Sequence, residues 1–238
     1  MVIIKVGMQE YLKNLKNFIR MWRVIKPRAY SAYLSQALVE TLTEFVGQGK
    51  SPSTIRFYEW KPSTVAFGFN ERVHEVVNVD ECKNLGIDIV RRPSGGGAVY
   101  LDEEDCFTYG VISRDLPRSI SKSYSLVCGA VIDGLMDLGI EASFRKPNDI
   151  VVKGKKISGN IQINRKNVVV VGGTILYDLD LEKMFRVLKV DKEKMKKKGY
   201  KNSLESVTCI KEHTKVSKQK VYETLIRALT KGKEFSFG

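Results

Sequence analysis

Two short stretches of this sequence hold residue types that could do chemistry. Arg91 to Ile112 reads RRPSGGGAVYLDEEDCFTYGVI, two arginines ahead of three adjacent glycines. Gly95, Gly96 and Gly97 strip every Cβ from a short segment, so its N–H groups can approach a bound molecule, at a conformational cost an ordinary turn does not require. Backbone N–H groups and guanidinium forks both complement phosphate or carboxylate, so an anion is the natural guest, with Arg91 and Arg92 able to bind it bidentately. A flexible hairpin between two strands would use the same glycines, and these residues alone leave the two readings even. The second stretch, Lys146 to Asn160, reads KPNDIVVKGKKISGN. A lysine at the edge of a tight hairpin can deliver a point charge to a phosphate or an acyl oxygen, while Asn148 and Asp149 offer acceptors for a metal or a ribose hydroxyl. Taken alone, an ordinary lysine-rich turn is the better reading of this stretch, because G-K-K and S-G are common turn chemistry.

The surrounding pattern says what must position these stretches. SAYLSQALVETLTEFVGQGKSP has helical spacing that stops near Gly47 in glycine and proline. TIRFYEW and STVAFGF are short, rich in β-branched and aromatic residues, and separated by a KP turn, which predicts a strand pair. VDECKNLG predicts a short helix leading into the strand IDIVRR, and the glycine loop then joins that strand to CFTYGVI. A long amphipathic helix follows in SISKSYSLVCGAVIDGLMDLGI. Three strands with turns at KGKK and NRKN come next, then a helix in DLEKMFRVL and a last one in SKQKVYETLIRALTKG capped by Ser217. The expected fold is α+β, with mixed, largely antiparallel sheets and flanking helices. Residues 1–20 read as an appended, helical extension, and 21–238 as one domain.

Composition narrows the function classes. The chain has 238 residues and 43% apolar content, enough for a packed core. No apolar run approaches a membrane span, and the start has no signal-peptide pattern, so a cytoplasmic protein without a membrane partner is expected. Cys82, Cys106, Cys128 and Cys209 are widely spaced, with His74 and His213 the only histidines, a pattern that argues against structural zinc. The net charge of +13 favours an anionic partner without identifying it. The densest basic run, Lys189 to Asn202, lacks the aromatic interleaving of a nucleic-acid stacking platform and reads as a solvated connector. No specific nucleic-acid binding is expected.

WRVI, TIRFYEWKPSTVAFGFNE, RRPSGGGAVYLD, KPNDIVVKGKKISGNIQ, GGTILYDLDLEKM and KKKGYKNSLESVT occur in the order and spacing of the lipoate-protein ligase A family. From Trp22 nearly to the C-terminus, the chain resembles the catalytic domain of that family, within the biotin/lipoate ligase superfamily. The resemblance implies a two-step reaction in which lipoate, ATP and Mg²⁺ give lipoyl-adenylate, which a lysine of a lipoyl domain then attacks. The acceptors implied are the lipoyl domains of 2-oxoacid dehydrogenase E2 subunits and the glycine cleavage H protein. Lys156 matches the family's essential lysine. Arg91, Arg92, Ser94, Gly95, Gly96, Gly97, Ala98, Asn148, Asp149, Ser158, Gly159, Gly173 and Thr174 match its substrate and adenylate contacts, with Asp149 a metal ligand.

Some positions depart from the family pattern. Leu101, Val171 and Gly172 stand where histidines are usual, and Ser35 and Gln36 replace an acidic pair. The chain ends soon after its last helix, where larger members carry an accessory domain, so a separate accessory protein is a candidate partner. The alternatives are octanoyl or lipoyl transfer from acyl carrier protein, or a homologue that only binds lipoyl-adenylate. The related transferases place a cysteine ahead of the lysine hairpin, where this chain reads IEASFRKPND and has none. The sequence therefore favours the ATP-dependent ligase.

Overall fold

In the computed structural model, residues 21–165, 167–178, 180–189 and 206–238 are described. The helix expected before residue 21 and nearly all of the lysine-rich run lie outside them. The strands are β1 Trp22–Ile25, β2 Ala29–Tyr30, β3 Thr54–Trp60, β4 Thr64–Phe67, β5 Asp88–Arg91, β6 Val99–Leu101, β7 Cys106–Ser113, β8 Ala142–Arg145, β9 Asp149–Val152, β10 Lys155–Arg165, β11 Val168–Leu176 and β12 Phe235–Phe237. The helices are α1 Ala32–Gly47, α2 Val73–Val76, α3 Val79–Asn84, α4 Ile120–Met136, α5 Leu181–Val187 and α6 Lys218–Thr230. Ser31, Asp180 and Ser217 cap α1, α5 and α6, each side chain accepting from the backbone N–H three residues on.

The large sheet runs β12-β1-β3-β7-β11-β10-β9-β8, and a small sheet runs β5-β4-β6. Pairing from β3 through β8 is antiparallel, while β1 with β3 and β12, and β4 with β5, are parallel. The α+β, largely antiparallel architecture expected from the sequence is thus the one adopted. Two pairings differ from expectation. TIRFYEW and STVAFGF do not pair with each other: β3 sits in the large sheet and β4 at the centre of the small one. The glycine loop joins β5 to β6 across β4, and only then does the chain reach CFTYGVI. Both apolar runs are buried on both faces, so periodicity could not say which sheet each would enter.

Directly opposed residues of antiparallel strands share a face, so register sorts the side chains. Phe57, Tyr109, Gly173 and Asn160 form one row, facing the core built with α4 and α6. The next row, Tyr58, Thr108, Thr174, Gly159 and Asp149, faces the opposite side, and so does the row Arg56, Gly110, Gly172 and Ile161. On that side Tyr58, Trp60 and Cys106 pack against Ala32 of α1 and Ala66, Val90 and Leu101 of the small sheet. Farther along, Val46 of α1 covers Ile112, Val168 and Val170. Helices α3 and α5 cover the outer face of the small sheet through Cys82, Met184 and Val187.

Arg56 is the largest fully buried side chain on the α1 side, and it has no carboxylate partner among the described residues. Its guanidinium stacks 3.9 Å from the Tyr58 ring and donates to the carbonyl and hydroxyl of Ser35. Burial lowers its pKa, against the opposing pull of Tyr58 and Tyr30. Ser35, one of the departures noted above, thus becomes a polar contact that ties α1 to the sheet.

Candidate functional site

The glycine loop is braced by its own arginines. Arg92 donates to the carbonyls of Ala66 at 2.5 Å and Gly97 at 2.8 Å, and burial lowers its pKa, partly offset by Tyr58 and Glu71. Arg91 donates to the carbonyls of Phe69 and Glu71, both at 2.7 Å, and stacks over Phe67. These bonds give both guanidiniums a structural task, donating to backbone carbonyls around the loop, while both residues also line the cleft described below. Ser94 is buried, and its carbonyl accepts from Phe69 N–H. Gly68 backs against the loop so closely that a Cβ there would overlap the Gly96 carbonyl, and Gly96 itself has φ +95°. Gly95 and Gly97 have nothing within 4 Å of where a Cβ would stand, leaving the loop's outer surface bare. Ala98 turns inward onto the small sheet's outer core.

The lysine hairpin joins β9 to β10 through Lys153 and Gly154, both at positive φ. A register shift between Lys156 and Ser158 marks a bulge. Lys156 Nζ lies 2.8 Å from Asp149 Oδ1, and Arg145 Nη2 lies 3.1 Å from Asp149 Oδ2. The Asp149 side chain is 2% exposed, that of Lys156 36%. The amine rests against Gly159, where a Cβ would stand 2.6 Å from Nζ. Gly159 and Thr174 are partners in register, so the amine shares the α1 face of the sheet.

Not every expected contact reaches this face. Asn148 Nδ2 donates to the Asn160 carbonyl at 2.7 Å, and Asn160 Nδ2 returns a bond to the Asn148 carbonyl. Tyr109 donates its hydroxyl to Asn160 Oδ1 across Gly173, where a Cβ would meet both side chains. Asn148 and Gly173 therefore belong to a buried clamp on the opposite face, and Ser158, also buried, lies on that face near Tyr109. Strand parity sends alternate residues to opposite faces, which a linear motif does not reveal. The Tyr109–Asn160 clamp itself was missed; a tyrosine opposite glycine in paired strands was the only signal, and it needs the register.

Asp149 does not fit a metal. Two cations occupy its carboxylate, and among the described residues no group of three His, Cys, Asp or Glu side chains could hold an ion.

A cleft of about 1060 Å³ opens on the α1 face. Its lining includes Gln36, Val39 and Thr43 of α1, together with Phe69, Arg91, Arg92, Pro93, Ile163 and Val168. On the same face Gly110 is bare, with nothing within 4 Å of its Cβ position, and Gly172 backs onto the Tyr109 carbonyl. The cleft's surface is mostly apolar, with Glu40, Glu44, Arg91, Arg92 and Arg165 also among its lining, and with the Lys156 amine on the same sheet face it suits an acyl chain bearing a reactive carbonyl.

All four cysteines are buried. Burial pushes Cys82 up to about 11, with the Glu81 charge adding to it, and Cys128 up to about 12, opposed by its interaction with the Tyr109 hydroxyl. Cys106 and Cys209 are raised by burial as well. None has the depressed pKa and access of a thiolate nucleophile.

Comparison with known proteins agrees with this geometry. A family model described as the lipoyl protein ligase A/B catalytic domain matches residues 31–230. The curated octanoyltransferase LipM of Anoxybacillus flavithermus is 30% identical over 240 residues, covering 89% of this chain and 86% of its own. LipM of Lysinibacillus sphaericus is 32% identical, covering 74% and 72%. A bi-partite lipoate protein ligase from Thermoplasma acidophilum superposes with a TM-score of 0.76 at 26% identity, covering 92% of this chain and 86% of its own. A lipoate-protein ligase A crystallised with ATP shares the fold at a TM-score of 0.75 and 24% identity. The curated relatives correct the expectation of an ATP-dependent ligase, because proteins this similar across most of the chain are octanoyltransferases. The motif match identifies the family but does not specify how the acyl group is activated.

Proposed function

The chain belongs to the lipoyl protein ligase A/B catalytic domain family, and from that premise we propose that it transfers an octanoyl- or lipoyl-type acyl group from a thioester donor to a lysine of an acceptor lipoyl domain. The observation that carries this reading is the Lys156 amine, fixed against Gly159 by Asp149 on the face of the acyl-sized cleft.

In this reading the chain lies in the cleft with its carbonyl near Lys156. The acceptor lysine's neutral amine attacks the carbonyl carbon, and the oxygen takes the negative charge. Lys156, held in place by Asp149, stabilises that oxyanion from a preorganised position. Collapse breaks the carbon–sulfur bond, the thiolate leaves, and the proton lost by the attacking nitrogen neutralises it. The products are an amide and a free thiol. The four buried cysteines favour direct transfer, with no acyl group parked on the enzyme. No step uses a metal, in keeping with the cations on Asp149.

The +13 charge would speed encounter with an acidic acceptor domain. The E2 lipoyl domains and the H protein are the acceptors we propose, in the cytoplasm, where no membrane span is needed: among the described residues no helix is long and apolar enough to cross a membrane.

Intact mass of an acceptor lipoyl domain, incubated with octanoyl-carrier-protein thioester and no ATP, tests this. Wild type and a variant with all four cysteines replaced by alanine should both octanoylate the acceptor, while Lys156→Ala should lose about 100-fold or more, the size of a lost oxyanion donor. No product from wild type would sink the transferase reading. Product from wild type but none from a folded cysteine-free variant would replace direct transfer with an acyl-enzyme.

A further inference from the structure

Strand β10 changes partners at the bulge. From Ser158 onward its far edge pairs with β11, but at Lys156 the neighbour is Val207, in a parallel bridge, and Thr208 N–H donates to the Lys156 carbonyl at 2.9 Å. Lys156 is thus held on both edges, by Val151 of β9 and by a segment that arrives from far along the chain. That segment is itself fastened. Thr208 is fully buried; its hydroxyl lies 2.7 Å from Glu212 Oε2 and 2.8 Å from His213 Nε2. The single hydroxyl proton goes to the carboxylate, so His213 Nε2 is the donor in the other bond. Beside them Ile210 is buried in the main core, Lys211 N–H donates to the Tyr177 carbonyl, and Lys211 Nζ pairs with Asp178 at 2.6 Å. The segment is therefore tied to the end of β11, one register step from the strand it replaces beside Lys156.

We infer that Thr208, Glu212 and His213 are positioning residues for Lys156. They touch no reacting atom. By locking residues 207 and 208 against the Lys156 backbone, they fix the bulge that turns its side chain toward Asp149 and Gly159. This gives His213 a role that the sequence did not assign, and it rests on the part given to Lys156 above.

Site-resolved labelling tests the inference without relying on transfer. Wild type, Thr208→Val, Thr208→Ser and His213→Gln are exposed to an amine-acylating reagent, and the labelling rate at Lys156 is read by peptide mass spectrometry against exposed lysines such as Lys122. Thr208→Val and His213→Gln should raise Lys156 labelling by about threefold or more, the equivalent of one net hydrogen bond, with Lys122 unchanged and Thr208→Ser close to wild type. Thr230→Val, another buried threonine, controls for general loosening. Unchanged Lys156 labelling in a folded Thr208→Val or His213→Gln, or an equal rise in Thr230→Val, would overturn it. Because labelling needs no donor or acceptor, an enzyme inert to thioesters could still pass, and a failed label pattern would leave the transferase reading standing.

Discussion

Lys156 and Asp149 stand 2.8 Å apart across the first pairs of the β9–β10 hairpin, and the buried member of the pair is the acid. The Lys156 side chain is 36% exposed, so the amine keeps access to solvent while Asp149 orients it. Replacing Asp149 with Asn leaves Lys156 and Arg145 facing each other without an anion. Loss of about 2 kcal/mol is expected, less than for a fully buried pair because both cations reach solvent, together with at least about tenfold slower acyl transfer. Denaturant midpoints and single-turnover octanoylation measure the two effects separately.

Gly159→Ala should separate activity from stability. The new Cβ would stand 2.6 Å from Lys156 Nζ and 2.7 Å from Cε, the mobile end of a flexible side chain, so the amine gives way while the strand does not. A melting temperature within a few degrees of wild type is expected, with transfer reduced at least about tenfold, since misplacing a catalytic group by an ångström is costly. Transfer at the wild-type rate would mean that the amine does not act from its place over Gly159.

The glycines around the loop should divide into two classes. Gly68→Ala forces backbone against the Gly96 carbonyl, so roughly 1–3 kcal/mol of destabilisation is expected, as for an overpacked core. Gly97→Ala meets nothing within 4 Å and should leave stability near wild type while raising the KM for the acyl donor. Thermal melts paired with donor titrations distinguish them. A Gly97→Ala enzyme with unchanged KM would argue that no ligand approaches that side of the loop.

Alkaline pH should expose the buried thiols and phenols. Cys82 is pushed up to about 11, and Cys128, Tyr100 and Tyr124 to about 12, each chiefly by burial. A group whose folded pKa is raised favours the folded state fully below its unfolded value, and that contribution is lost as pH rises through the folded one. Stability should therefore fall from about pH 9, where free thiols ionise, toward pH 12. Unfolding followed across this range checks the sign, and Cys128→Ala should make the decline shallower. At pH 8 the native thiols should resist iodoacetamide until denaturant is added.

The sequence alone determined the helices except α2, the strands from β3 onward except β6, β8 and β12, and the family resemblance that singles out Lys156. These rest on short-range signals: helical period in α1, α4 and α6, alternation around KGKK and NRKN, and a motif with Lys156 at its centre. Tertiary structure decided what depends on pairing. Adjacent runs such as TIRFYEW and STVAFGF entered different sheets because both are buried on two faces, and burial of that kind carries no address. Register alone set Gly159 beneath the Lys156 amine while sending Ser158 and Asn160 to the other side. Carbonyls from Ala66 to Glu71 drew in the guanidiniums of Arg91 and Arg92, an outcome invisible in RRPSGGG because those carbonyls arrive from 20 to 26 residues away. The contact between Thr208 and Lys156 spans more of the chain still, and only the closing of the β10 edge brings the two together.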